Sequence, residues 1–211
     1  MPLLDLFKTL TGRKILVYAD FIDPFCYIGF HALKPLAESR GIELDWRGFE
    51  LNPGTPPEGL PLVTAANSDL RPGMWASVQG LAQRAGLTLA EPRLTPNTRG
   101  AHALVNLAPK PDVKNPLIEQ IYQAYFIRQL DIGQVDVLIE LASAFGISAD
   151  AVRSAFADPG ILNTLDTRRA EAQRRAFLGL PGFVYKGNNH FGALSRDAWD
   201  DIFRGDNNRG R

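Results

Sequence analysis

Two hydrophobic periods divide the chain into short strand-like runs near its beginning and end and a long helix-patterned stretch between them. Lys14 to Ala19 is an apolar, β-branched run closed by Asp20 and the turn-forming pair Asp23-Pro24, which predicts a buried strand. From Pro24 to about Arg40 the apolar residues Phe25, Ile28, Leu33 and Leu36 recur at helical intervals, and Gly41 supplies a stop. Pro35 has no N–H for the carbonyl of His31, so a bend is expected there. Ile42 to Leu51 alternates at Ile42, Leu44 and Trp46 and then shifts phase, giving a second strand with a bend near Gly48. Strand, helix and strand form a βαβ unit, which requires a right-handed crossover if the strands are parallel.

Residues 52–72 are rich in proline and have no sustained period, so they predict a long connection. Helical patterns follow at Met74–Ala85, Thr98–Leu107, Pro116–Gln129, Gln134–Phe145 and Ala149–Phe156. Asn115 before Pro116 reads as a cap, Ser148 as another, and Gly86 and Gly146 as stops. A longer helix is expected from about Ile161 to Phe177. Then Phe183–Lys186 and His190–Ala193 read as a hairpin turning at Gly187-Asn188-Asn189. Ser195 caps a last helix through Phe203. The expected fold class is α/β, with segments 13–60 and 161–204 forming a discontinuous core, an all-helical insertion at 61–160 and a flexible tail at 205–211.

Composition adds limits to this picture. Of the 211 residues 45% are hydrophobic and 22% charged, which suits a globular protein able to bury a core without metals or disulfides. Twenty-three basic residues balance 23 acidic ones, so no global field draws the chain to nucleic acid or to an acidic membrane face. No window approaches about 18 uninterrupted apolar residues, and the first residues, MPLLDLFKTLTGRK, do not read as a signal peptide. A soluble cytoplasmic protein is expected. One cysteine closes no intramolecular disulfide, and His31, His102 and His190 are too scattered to form a recognisable metal site, so no metal is expected.

That cysteine, Cys26, stands in DFIDPFCYIGF at a strand-to-helix corner, where redox proteins often hold a Cys-x-x-Cys pair. The partner position is Asp23. Asp before Pro is a favoured helix start, so Asp23 reads first as a cap worth about 1 kcal/mol, with an acid–base group as the alternative; both could hold together. Cys26 reads as a small buried apolar residue or as an accessible thiol. The helix N-terminus would lower its pKa and the Asp23 carboxylate would raise it. Asn97 and His102 could face a cleft between insertion and core, or act as a cap and a packed, hydrogen-bonded histidine. Tyr122, Tyr125 and Phe126 are spaced as a core stripe.

Five segments resemble one family across nearly the whole chain: PFCYIG (24–29), FELNP (49–53), TPNTRGAHAL (95–104), AYF with DI soon after (124–132), and GLPGFVYKG followed by FGA (179–193). The chain is similar to DsbA-family proteins of the FrnE-like and 2-hydroxychromene-2-carboxylate isomerase-like branch, which includes kappa-class glutathione transferases. The resemblance implies a thioredoxin-like fold, βαβ followed by ββα, with a helical domain inserted between the halves. It also implies a cis proline at Leu180-Pro181, opposite the Cys-bearing turn, where the backbone pairs with an extended thiol substrate. Phe25, Leu180 and Pro181, with Asn97 and His102, become expected substrate-binding residues, and Cys26 and Asp23 the catalytic ones.

FrnE-like members show Cys-Pro-Trp-Cys at this turn, and kappa-class members place a serine first. Here Asp23 replaces the attacking cysteine and the resolving residue remains, so an intramolecular dithiol cycle is excluded. Three functions stay open. One is an oxidoreductase-family enzyme that uses Cys26 with a small or protein thiol, or Asp23 with a bound thiol. The second is a glutathione-dependent isomerase or transferase, against which Ala193-Leu194-Ser195-Arg196 departs from the family's Ser/Gln-Asp-Arg segment, although Asp197 is near. The third is a redox-inactive module binding an extended peptide or a small ligand. Glutathione is the one co-substrate the resemblance implies.

Overall fold

A computed structural model describes residues 3–62, 71–108, 110–177 and 179–207. A first helix, α1 (Leu3–Leu10), precedes the strand β1 (Lys14–Ala19), and every residue of β1 is buried. Helix α2 (Pro24–Ser39) follows and leads to β2 (Glu43–Gly48), which lies parallel to β1 in a register that pairs Ile15 with Leu44 and Val17 with Trp46. The chain then makes the short strand β3 (Leu60–Pro61), helix α3 (Arg71–Arg84) and β4 (Leu94–Thr95), with β3 and β4 pairing as a small separate sheet. Four helices come next: α4 (Arg99–Asn106), α5 (Pro111–Phe126), α6 (Val135–Ser143) and α7 (Ala149–Ala157). Helix α8 (Pro159–Arg174) returns to the sheet, β5 (Gly182–Tyr185) and β6 (Asn188–Phe191) form a hairpin, and α9 (Arg196–Asn207) ends the described chain.

The main sheet has the order β2-β1-β5-β6, with β5 antiparallel to β1. Both faces of β1 are covered, which explains its unbroken apolar run. On one face Ile15, Val17 and Ala19 join α2, α3, α5 and α9 in a single hydrophobic cluster. On the other, Leu16 and Tyr18 pack with Ala172 of α8 and with Phe177.

Several elements differ from the expectations. Helix α1 lies where no element is expected. The connection at 52–72 contains β3 and the start of α3, while 63–70 fall outside the described residues. Helix α5 begins at Pro111, so Asn115 and Pro116 lie inside it and Asn115 is not its cap. The hairpin turns at Lys186 and Gly187, with φ of 47° and 78°, the pair of positive values that a two-residue turn matched to strand twist requires. Helix α9 runs on through the first residues of the expected tail to Asn207, and 208–211 lie outside the described residues.

Candidate functional site

The site is built where β1 ends and α2 starts. Asp23 is extended (φ −95°, ψ 115°) and caps α2: its Oδ1 accepts the Phe25 N–H at 2.8 Å, and Pro24 takes the first helical position, where no donor is needed. Its carboxyl is pushed up to about 6, chiefly by burial and further by the negative charge of Asp20, against the bonds it receives from Phe25 N–H and from the Cys26 thiol.

Cys26 points into the core and has no exposed surface. Burial first, and then the charge of Asp23, push its thiol well above the ordinary cysteine value. The helix N-terminus does not outweigh these two effects. An accessible, thiolate-forming Cys26 is therefore corrected: in this fold the sulfur is a neutral group beneath the Asp23 turn. Phe25, by contrast, is 40% exposed and forms the lip of the turn.

The Leu180–Pro181 bond is cis. The Pro181 carbonyl accepts the Gly192 N–H at 2.8 Å, which ties this loop to the end of β6. Gly29 allows α2 to lie against it, because a β-carbon there would stand 3.0 Å from Pro181 Cγ and 3.4 Å from Ala193 Cα. One hollow meets the turn at Phe25, and a second opens farther along α2. One, about 170 Å³, is apolar and bounded by Ile22, Phe25, Trp75, Tyr125 and Phe126. The other, about 730 Å³, opens between Ile28 and His31 of α2, Arg84 at the end of α3, and Ser195, Arg196 and Asp197. Among the described residues no His, Cys, Asp and Glu side chains gather in a group able to hold a metal ion.

Of the expected binding residues only Phe25 lines one of these hollows; Leu180 and Pro181 form the cis loop beside α2, and Asn97 and His102 lie elsewhere. Asn97 stands one residue before Thr98, the cap of α4; it accepts the Arg99 N–H at 3.0 Å, donates to the Thr55 carbonyl at 2.6 Å and lines a separate hollow with Pro57 and Phe156. His102 is only 1% exposed and has no surface to offer a substrate. Its Nε2 lies 3.2 Å from Asp20 Oδ1, and Trp46 Nε1 donates to its Nδ1 at 3.3 Å.

Asp20, which sequence reading takes only as the end of a strand, is fully buried and central. Oδ1 accepts the Phe21 N–H and Oδ2 the Leu51 N–H, both at 2.7 Å. The available signal was an ionisable residue directly after an unbroken apolar strand, where it must be buried and hydrogen-bonded. A second unread cluster sits beside the larger hollow, where Glu119 Oε1 lies 3.1 Å from Tyr27 OH and 3.4 Å from His31 Nδ1. Burial alone would raise the Glu119 carboxyl, but bonds and charge from His31, Lys34 and Tyr27 bring it below its ordinary value.

Comparison with known proteins places this geometry. The profile of the DSBA-like thioredoxin domain matches residues 14–204. The fold is similar to a probable DsbA oxidoreductase from Streptomyces coelicolor (TM-score 0.79, 24% identity, 91% of this chain and 88% of that one). It is also similar to 2-hydroxychromene-2-carboxylate isomerase (TM-score 0.73, 17% identity, 94% and 95% covered). A third similar structure is the cytosolic disulfide reductase DsbM from Pseudomonas aeruginosa with GSH (TM-score 0.69, 16% identity, 92% and 98% covered). No helix among the described residues is long and apolar enough to cross a membrane.

Proposed function

The chain belongs to the DSBA-like thioredoxin domain family, and on that basis we propose that it is a thiol-dependent enzyme whose reactive sulfur arrives on a bound small thiol of the glutathione type. The observation that carries this reading is the exchange of roles at the turn. A carboxyl pushed up to about 6 occupies the attacking position, while the chain's one thiol is sealed beneath it. The thiol would lie along Leu180-Pro181 and extend past Ala193 to place its body in the 730 Å³ hollow, a size suited to a small peptide. The similar structure of DsbM, which is described with GSH, supports this choice of probe.

The chemistry follows from proton accounting. Ionised Asp23 takes the thiol proton as the sulfur adds to an electrophilic carbon of a second substrate and a carbanion forms beside it; the proton then goes to that carbanion, giving the adduct that is released, or back to the sulfur when the sulfur is eliminated. The sum is redox-neutral and needs no electron acceptor, as in an isomerase or transferase. Phe25 and the apolar hollow beside it would receive the second substrate. The cytoplasm, which keeps small thiols reduced, is the proposed compartment.

The test is the rate of glutathione addition to an α,β-unsaturated carbonyl compound across pH 5 to 8, with binding followed by calorimetry. Wild-type activity is expected to rise through pH about 6, where Asp23 ionises, and Asp23→Asn to lose at least about tenfold together with that pH dependence. Glutathione that does not bind, or a wild-type rate no higher than that of Asp23→Asn, would sink the proposal.

A further inference from the structure

Beneath the Asp23 turn lies a polar chain that the proposed chemistry does not itself use. An indole N–H only donates, so the bond from Trp46 Nε1 obliges His102 Nδ1 to accept. The ring proton then sits on Nε2 and is donated to Asp20 Oδ1 at 3.2 Å. His102 and Asp20 have no exposed side-chain surface at this contact. Asp20 thus receives three neutral donors, from Phe21, Leu51 and His102, and the Asp20 carbonyl accepts Tyr122 OH at 3.2 Å and the Asp23 N–H at 3.5 Å. One residue joins the end of β1, the exit of β2, helix α4 and helix α5, three residues before Asp23.

We propose that His102 is a positioning residue: through its hydrogen bond to Asp20 it fixes the corner at residues 20–23 that presents Asp23, an inference resting on the role given to Asp23 above. Space has been left for this arrangement. A β-carbon on Gly48 would come within 2.5 Å of His102 Nδ1, so β2 carries no side chain where the ring lies. The charge of Asp20 in turn acts on Asp23, raising its carboxyl. The other ionisable groups facing Asp20 are Cys26 on α2, Tyr122 on α5 and Glu50 after β2. Loss of the His102 donor leaves Asp20 with two hydrogen-bond partners in an apolar site, so the corner loosens and water reaches Asp23; with less burial the Asp23 carboxyl falls from its raised value and holds its proton more weakly.

Two substitutions separate positioning from packing. His102→Phe keeps a ring against Phe21, now 4.9 Å away between centroids, but offers no donor. His102→Gln keeps an N–H donor and gives up the ring. The readout is the titration of the Asp23 side-chain carboxyl carbon by NMR, without any thiol present. His102→Phe is expected to weaken Asp23 proton affinity about tenfold and His102→Gln to leave it within about threefold of wild type. The reverse order, or no change in either variant, overturns the proposal. Should His102→Phe fail to fold, imidazole nitrogen shifts in the native protein decide: a proton on Nε2 with bare Nδ1 is expected, and a proton on Nδ1 overturns it. Because neither readout involves glutathione, a failure of the thiol assay is distinguishable from a failure here.

Discussion

At Asp23 one carboxylate caps α2 through the Phe25 N–H and is at the same time disfavoured by burial and by Asp20. The two effects separate with pH. In the unfolded chain the carboxyl titrates near 3.8, and in the native protein near 6. Between these values the native state holds a proton that the unfolded chain has released, so stability falls as pH rises from about 4 through 6 and stays lower above. Asparagine caps as well as aspartate and carries no charge. Asp23→Asn is therefore expected to gain about 2 kcal/mol over wild type at pH 8 and almost nothing near pH 4, measured by urea unfolding. An equal gain at both pH values would mean that the native carboxyl titrates normally. A different variant tests the neighbouring sulfur. The Asp23 side chain reaches the Cys26 thiol, so Asp23→Cys is expected to form a disulfide with Cys26 and to reduce insulin disulfides where wild type does not. Two free, inert thiols after mild oxidation would refute it. The cap was legible in the sequence because it is a local contact between adjacent residues. The burial of Cys26 was not, because it depends on which side of α2 faces helices distant in sequence.

At the scale of elements, starts with local chemistry were legible and those set by distant packing were not. Ser148 accepts the Ala151 N–H and caps α7, as its position before the apolar pattern implies. Helix α5 instead begins before Asn115-Pro116, and Asn115 is 3% exposed with its side-chain oxygen unpartnered among the described groups, a residue buried by its helix and not placed to cap it. Gly48 reads in sequence as a bend, but its reason lies across the fold in His102. Gly48→Ala would drive a β-carbon into the imidazole, a rigid ring held at both nitrogens. It is expected to lower stability by about 1–3 kcal/mol in thermal or urea unfolding. Gly54→Ala, where a β-carbon meets nothing within 4 Å, serves as the control and is expected to change stability little. Equal effects at the two glycines would show that His102 does not occupy the space beside β2.

Across the whole molecule, the strand frame and the helical middle share one interior. Tyr122 of α5 stacks on Tyr27 of α2 at 4.8 Å with planes 9° apart, and also meets Phe21, Trp46 and Phe126. A single hydrophobic cluster runs from Ile15 through α3 to α7 and on to Phe203. The order of segments along the chain and the resemblance to a family made the thioredoxin-like frame legible, but periodicity cannot tell an insertion with its own core from one that completes the core of its host. The shared cluster decides for the second and predicts cooperative unfolding. Trp46 lies in the frame, Trp75 in the helical middle and Trp199 in the last helix, so indole fluorescence samples all three. Fluorescence and far-ultraviolet circular dichroism are expected to trace one coincident urea transition. Tyr122→Ala empties the centre of the stack, removing a side chain with no exposed surface, and is expected to cost about 3–5 kcal/mol while moving both probes together. If the helical signal and the Trp46 signal separate in this variant, the two parts hold independent cores, and the corner at Asp20 and Asp23 would have to be held by the frame alone.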